Sequence, residues 1–153
     1  MNTTRYNVLL VEDDSPSIDF ARRAVAESFP EIDLTVVECG DAVLDWLNSS
    51  VARNEQMPHI ILLDLKLPKL DGLAVLRTLR KHDAMRDVPI VAFSAEYTQA
   101  DVLMSYQVGV NSFVTKPVDL VQFTEFFREQ LAYWLQSRQR EPTVASAQNN
   151  ASV

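Results

Sequence analysis

A chain of 153 residues with 47% hydrophobic content can bury one good core and leaves no room for a second. Its formal net charge of −7 opposes binding to a phosphate backbone, which needs a basic face to release counterions, so no nucleic-acid partner is expected. The start of the chain lacks a signal-peptide core, no later segment reaches membrane-spanning length, and the lone Cys39 cannot close an internal disulfide; a cytoplasmic protein without membrane association is expected.

In chain order, Asn7 to Val11 is an apolar run that ends in the acids Glu12, Asp13 and Asp14, and it reads as a first strand. Ser15 and Pro16 supply an N-cap and a first-turn proline for a helix with a stripe of Phe20, Ala21, Ala24, Val25 and Phe29. Ile32 to Glu38 alternates enough for a second strand, with Cys39 as a small buried residue at its end. Val43, Leu44 and Leu47 then recur at helical spacing, and the polar stretch 49–57 is a loop. Ile60 to Leu63 is too short for a helix and wholly apolar, as in a strand covered on both faces in the middle of a parallel sheet. It ends on Asp64, just before a turn in which Pro68, Asp71 and Gly72 are read as structural. Leu70, Leu73, Leu76 and Leu79 give the next helix, with Lys81 in its last turn. Pro89 to Ser94 is a fourth strand, Thr98 to Val108 a helix closed by Gly109, and Asn111 to Thr115 a fifth strand leading into Lys116 and Pro117. A last helix runs from about Asp119 to Ser137, and residues 141–153 are a small, polar tail expected to be disordered.

Strands alternating with helices argue for a parallel, doubly wound α/β sheet. In such sheets ligands collect outside the carboxyl ends of the strands, and the first, third and fifth strands here end in Glu12 and Asp13, in Asp64, and near Lys116. If these strands are neighbours, the charges meet at one rim. Carboxylates at about 4 Å repel by about 1 to 4 kcal/mol, which a divalent, oxygen-loving ion such as Mg2+ offsets. Each residue also has a plainer role. Asp64 is a common turn residue, the acidic triplet suits a helix start, Ser94 can cap, and Lys116 with Pro117 can turn. His59 and His82 are read as structural or solvated.

The pair Glu12 and Asp13, the segment from Asp64 to Gly72, Ser94 with Ala95, and Lys116 with Pro117 together resemble the receiver domain of response regulators in bacterial two-component signalling, over about residues 6–137. The resemblance implies a flavodoxin-like five-stranded sheet in the order 2-1-3-4-5 with five helices, and a receiver domain over 1–140. It implies that Asp64 accepts a phosphoryl group from a sensor histidine kinase, and that the protein is no enzyme beyond self-catalysed phosphotransfer and autodephosphorylation. Asp13 and Asp64 would bind Mg2+ or Mn2+ directly, Glu12 partly through water, and the backbone carbonyl of Lys66 would complete the ligands. Lys116 and Ser94 would contact phosphoryl oxygens, and Phe113 would be the aromatic switch. Lys66 and Glu96 would tune hydrolysis, and their opposite charges are expected to pair across the rim. Ser94 stands where the family more often has threonine, and Phe113 lacks a tyrosine's hydroxyl.

On the last helix, Leu120, Phe123, Phe127, Leu131 and Trp134 form a face that docks on the sheet, while Phe126 and Tyr133 form a second stripe. A homodimer or partner contact is expected there. With no DNA-binding or catalytic stretch after the receiver, the output is expected to be another protein's surface or a relay. The stretch from Ser105 to Val118, with Tyr133 to Leu135, further resembles single-domain regulators paired with phytochrome-like histidine kinases. A flavodoxin would want a hydroxyl-rich loop where this chain is acidic, a dinucleotide enzyme would want clustered glycines, and a haloacid-type phosphatase an Asp-x-Asp motif that Lys66 breaks. The remaining alternative is a receiver-shaped interaction module that is not phosphorylated.

Overall fold

The computed structural model describes residues 5–53, 57–66 and 71–136. Its strands are β1 (Tyr6–Val11), β2 (Ile32–Val37), β3 (Ile60–Asp64), β4 (Ile90–Ser94) and β5 (Ser112–Thr115). Its helices are α1 (Ser15–Ser28), α2 (Gly40–Ala52), α3 (Gly72–Lys81), α4 (Gln99–Val108) and α5 (Leu120–Gln130), with a 3-10 turn at Asp83–Met85 and a π-helical turn at Leu131–Gln136. The sheet is parallel throughout in the order β2-β1-β3-β4-β5, as expected. Among the described residues no helix is long and apolar enough to cross a membrane. Pro68, Leu70, Ser137 and the expected tail at 141–153 lie outside the described residues.

Alternate residues of each strand feed two cores, because successive side chains of a strand point to opposite faces. Leu9, Val11, Ile61, Leu63 and Ala92 pack with Val43, Leu47, Leu76 and Leu79 of α2 and α3. Val8, Leu10, Ile60, Leu62 and Phe93 pack on the other face with Ala21 and Ala24 of α1 and Phe123 and Phe127 of α5. Every residue of β3 is buried, which explains why its sequence is a continuous apolar run rather than an alternation.

Four local expectations are corrected. Residues 49–52 of the stretch read as a loop continue α2, which ends at Ala52. Asp14, not Ser15, caps α1, because its Oδ2 accepts from both the backbone N–H (3.1 Å) and the hydroxyl (2.6 Å) of Ser17; a carboxylate there also meets the positive end of the helix dipole. Cys39 is half-buried at the start of α2 rather than closed into the core. Phe126 does not share an outer stripe with Tyr133: it is buried edge-on against Phe93, ring centroids 6.0 Å apart, whereas Tyr133 is 61% exposed. The inward stripe of α5 is Phe123, Phe126, Phe127 and Gln130, the i, i+3, i+4, i+7 pattern of a helix facing a sheet. The expected docking face is therefore present and is widened by Phe126: Phe123, Phe127 and Leu131 are buried in it, and Leu120 and Trp134 pack at its half-buried margin. The π-helical turn then changes the angular offset between Phe126 and Tyr133 from that of a regular helix.

His59 is structural, its Nδ1 accepting from the Asn7 N–H at 3.0 Å. Arg80 ties the far side of the molecule together. Its guanidinium donates to the carbonyls of Met85, Val88 and Gly109 at 2.8 to 2.9 Å and to Asn111 Oδ1. Gly109 has φ +126°, and a Cβ there would lie 3.0 Å from Arg80 Cγ, so the α4 terminus needs glycine for both its backbone and its neighbour.

Candidate functional site

The sheet itself delivers the charged residues to one end. The Glu12 N–H donates to the Val37 carbonyl, Leu65 to Phe93, and Lys116 to Ser94, each at 3.0 Å. Glu12, Asp64, Ser94 and Lys116 are thus held at the carboxyl ends of neighbouring strands by backbone ladders.

There the Lys116 ammonium sits 2.9 Å from Glu12 Oε1 and 3.0 Å from Asp64 Oδ2. It donates a hydrogen bond to Asp64, whereas Glu12 Oε1 shares the charge contact without the alignment of a hydrogen bond. Glu12 Oε2 accepts from the backbone N–H groups of Asp13 and Asp14, both at 3.2 Å. Asp64 Oδ1 accepts from the Lys66 N–H at 2.9 Å. Burial, and then the charge of Asp64, push the Glu12 carboxyl up to about 7. Burial acts to lower the Lys116 ammonium, but the Glu12 and Asp64 carboxylates outweigh it and its pKa is raised.

These groups open onto a recess of about 530 Å³, which Asp13, Lys66, Ser94 and Glu96 also line. Its apolar wall of Pro16, Phe20, Pro117 and Val118 was not anticipated as part of the site. The only sequence signal for that wall was proximity to Asp14 and Lys116.

The expected trio of Glu12, Asp13 and Asp64 is not assembled as a closed cage. Among the described residues, no three His, Cys, Asp or Glu are placed to hold a metal ion. The ammonium occupies the position between Glu12 and Asp64 instead. An open rim of carboxylate oxygens in excess over cations still fits a hard divalent ion that keeps several of its waters, as Mg2+ does.

Ser94 is fully buried and donates its hydroxyl to the Glu96 carbonyl at 2.8 Å. Lys66 does not pair with Glu96. Its Nζ lies 3.7 Å from Asp101 Oδ2, because Asp101 is held in the first turn of α4 by reciprocal bonds with Thr98, while Glu96 points to solvent. Phe113 is half-buried, lies edge-on to Tyr97 with ring centroids 4.7 Å apart, and donates its N–H to the Tyr106 hydroxyl at 3.1 Å. Tyr97 was not singled out in the sequence, where an aromatic three residues after Ser94 was the available hint, and Tyr106 entered only within the stretch from Ser105 to Val118.

Residues 8–128 match the sequence pattern of the response regulator receiver domain. The response regulator Rcp1 of Synechocystis sp. is 28% identical over 131 residues, 85% of this chain and 89% of Rcp1. Its Mn2+-bound crystal structure superposes with a TM-score of 0.73, covering 86% of this chain and 95% of that one at 28% identity. The phosphorylated cyanobacterial phytochrome response regulator RcpA gives a TM-score of 0.78 at 29% identity, covering 88% of this chain and 96% of RcpA. The bacteriophytochrome response regulator RtBRR is 36% identical, with a TM-score of 0.68 and coverage of 95% of this chain and 88% of its own.

Proposed function

Because the chain belongs to the response-regulator receiver family, whose members are phosphoacceptors rather than turnover enzymes, we propose that Asp64 accepts a phosphoryl group from a histidine kinase. The observation that carries this reading is the Lys116 ammonium held between Glu12 and Asp64 at the floor of an open recess. A carboxylate oxygen of Asp64 forms the new P–O bond as the P–N bond of the donor phosphohistidine breaks, and the electron pair leaves with the imidazole nitrogen. Lys116 neutralises charge on the transferred oxygens, and Ser94 donates its hydroxyl to one of them once it leaves Glu96. Bound Mg2+ or Mn2+ supplies further charge neutralisation; Asp13, Asp64, Glu12 partly through water, and the Lys66 carbonyl would hold it. Phe113 follows Ser94 inward, and Lys66 and Glu96 at the rim tune how water reaches the aspartyl phosphate; autodephosphorylation is the only other reaction assigned.

Acetyl phosphate with Mg2+ is expected to add the mass of one phosphoryl group to the wild-type chain and none to Asp64→Asn. No shift in the wild type would leave a receiver-shaped interaction module that is not phosphorylated.

The names of RcpA and RtBRR support a phytochrome-type sensor kinase as the partner, and the net charge of −7 supports a protein rather than a nucleic acid as the recipient of the signal. The receiver unit is assigned to residues 1–140 and to the cytoplasm. A homodimer through the last helix is further assigned, now resting on Tyr133 at 61% exposure and Val121 at 71% without Phe126. Light scattering should report twice the chain mass with or without beryllofluoride; a monomer in both conditions would rule this contact out.

A further inference from the structure

Ser94 carries one hydroxyl proton, and that proton is donated to the Glu96 carbonyl at 2.8 Å. To serve a phosphoryl oxygen on Asp64 it has to leave, and the loop between β4 and α4 has to rearrange around the carbonyl it abandons. That loop is pinned at its far end. Thr98 and Asp101 exchange bonds of 2.9 and 3.1 Å at the start of α4. Tyr97 crosses to β5, where its hydroxyl is hydrogen-bonded to that of Thr115 and its ring meets Phe113 edge-on, at 69° between planes. A small cavity of about 80 Å³ lined by Leu65, Leu73, Ser94, Tyr97 and Phe113, among others, adjoins this contact. The loop and the switch aromatic therefore have room beside them, and the Tyr97 ring is the contact that joins the one to the other.

We propose that Tyr97 is a positioning residue for phosphorylation: joined to Thr115 and Phe113, it holds the β4–α4 loop in the arrangement that keeps the Ser94 hydroxyl on Glu96. The proposal rests on Asp64 being the phosphoacceptor. A contact made in only one of two arrangements shifts their populations by its own strength, and a ligand that needs the other arrangement binds more weakly by that factor. For one hydroxyl pair at an exposed position the factor is about threefold.

Beryllofluoride is titrated into the full chain at saturating Mg2+, with the amide resonances of Ser94 and Phe113 as the readout and urea midpoints recorded in parallel. Tyr97→Phe keeps the ring and loses the hydroxyl; Thr115→Val loses the other partner. Each is expected to tighten apparent binding about threefold, and the double variant no further, because both remove the same bond. Thr115→Ser, which keeps a hydroxyl, should match the wild type. A purely structural role would lower the urea midpoint and leave the affinity unchanged. Unchanged or weaker binding in both single variants overturns the proposal, as do effects that multiply in the double. If the wild type takes up no beryllofluoride, or Asp64→Asn takes it up equally, the phosphoacceptor reading itself fails.

Discussion

Lys116→Ala should destabilise the protein by about 3 to 5 kcal/mol at pH 8, because it leaves two buried carboxylates without their cation. Glu12 is 1% exposed and Asp64 4% exposed, so water entering from the recess solvates their charge only in part. The size of the effect depends on pH through Glu12. With Lys116 present its carboxyl already sits at about 7 against an ordinary 4.5; without Lys116 it takes up a proton more readily still. A carboxyl whose folded pKa is raised binds its proton more tightly in the folded state. Its contribution to stability is complete below the unfolded value and is lost as pH rises through the folded one. The variant should therefore run parallel to the wild type up to about pH 7 and fall away from it above that, where Glu12 gives up its proton in the folded wild type but not in the variant. Urea denaturation at pH 5, 6, 7 and 8 in chelator, so that no divalent ion substitutes for the ammonium, measures this directly. Adding Glu12→Gln to Lys116→Ala should flatten the trend. Equal destabilisation at pH 5 and pH 8 would mean that the Glu12 contact is weaker than its 2.9 Å distance implies.

Gly72→Ala is expected to be as damaging, although its site is a helix start. A Cβ at position 72 would stand 2.5 Å from the Cα and carbonyl oxygen of Leu65 and 2.7 Å from its carbonyl carbon. Alanine in a helix gains at most about 1 kcal/mol over glycine. Against that, the obstacle is backbone, which cannot rotate away as a side chain would, and forcing it costs about 3 kcal/mol or more. The clash wins. Leu65 follows Asp64 directly and is bonded to Phe93, and the Lys66 N–H holds Asp64 Oδ1, so the displacement passes into the phosphorylation site. A fall in melting temperature of about 10 °C, with slower uptake of phosphoryl groups from acetyl phosphate, is the expected result. An unchanged melting temperature would show that α3 can draw back from Leu65.

The rim was readable in large part because strand ends are local features. Asp64 closes an apolar run and Lys116 follows another, and the family likeness then put them in neighbouring strands. Residues whose roles depend on a neighbour distant in sequence were not readable in this way. Tyr97 acts through Thr115 and Phe113, and Arg80 through Gly109 and Asn111. Nothing in the spacing of either residue marks its partner. The expected Lys66 and Glu96 pair failed for a related reason: charge complementarity and proximity suggested it, but the bonds with Thr98 hold Asp101 within reach of Lys66 instead.

The order of residues alone made the strands and the chemistry at their ends legible. Apolar runs such as Ile60 to Leu63 leave a strand little choice but double burial, and a charged residue that follows such a run must lie at the margin of the sheet. Tertiary structure alone decided rotation and pairing. It turned α5 so that Phe126 meets Phe93, gave the start of α1 to Asp14, and kept the Ser94 hydroxyl on the Glu96 carbonyl. A shift of a fraction of a helical turn, or of one rotamer, leaves periodicity and composition untouched, while the packing energy of a close-fitted interior separates the alternatives.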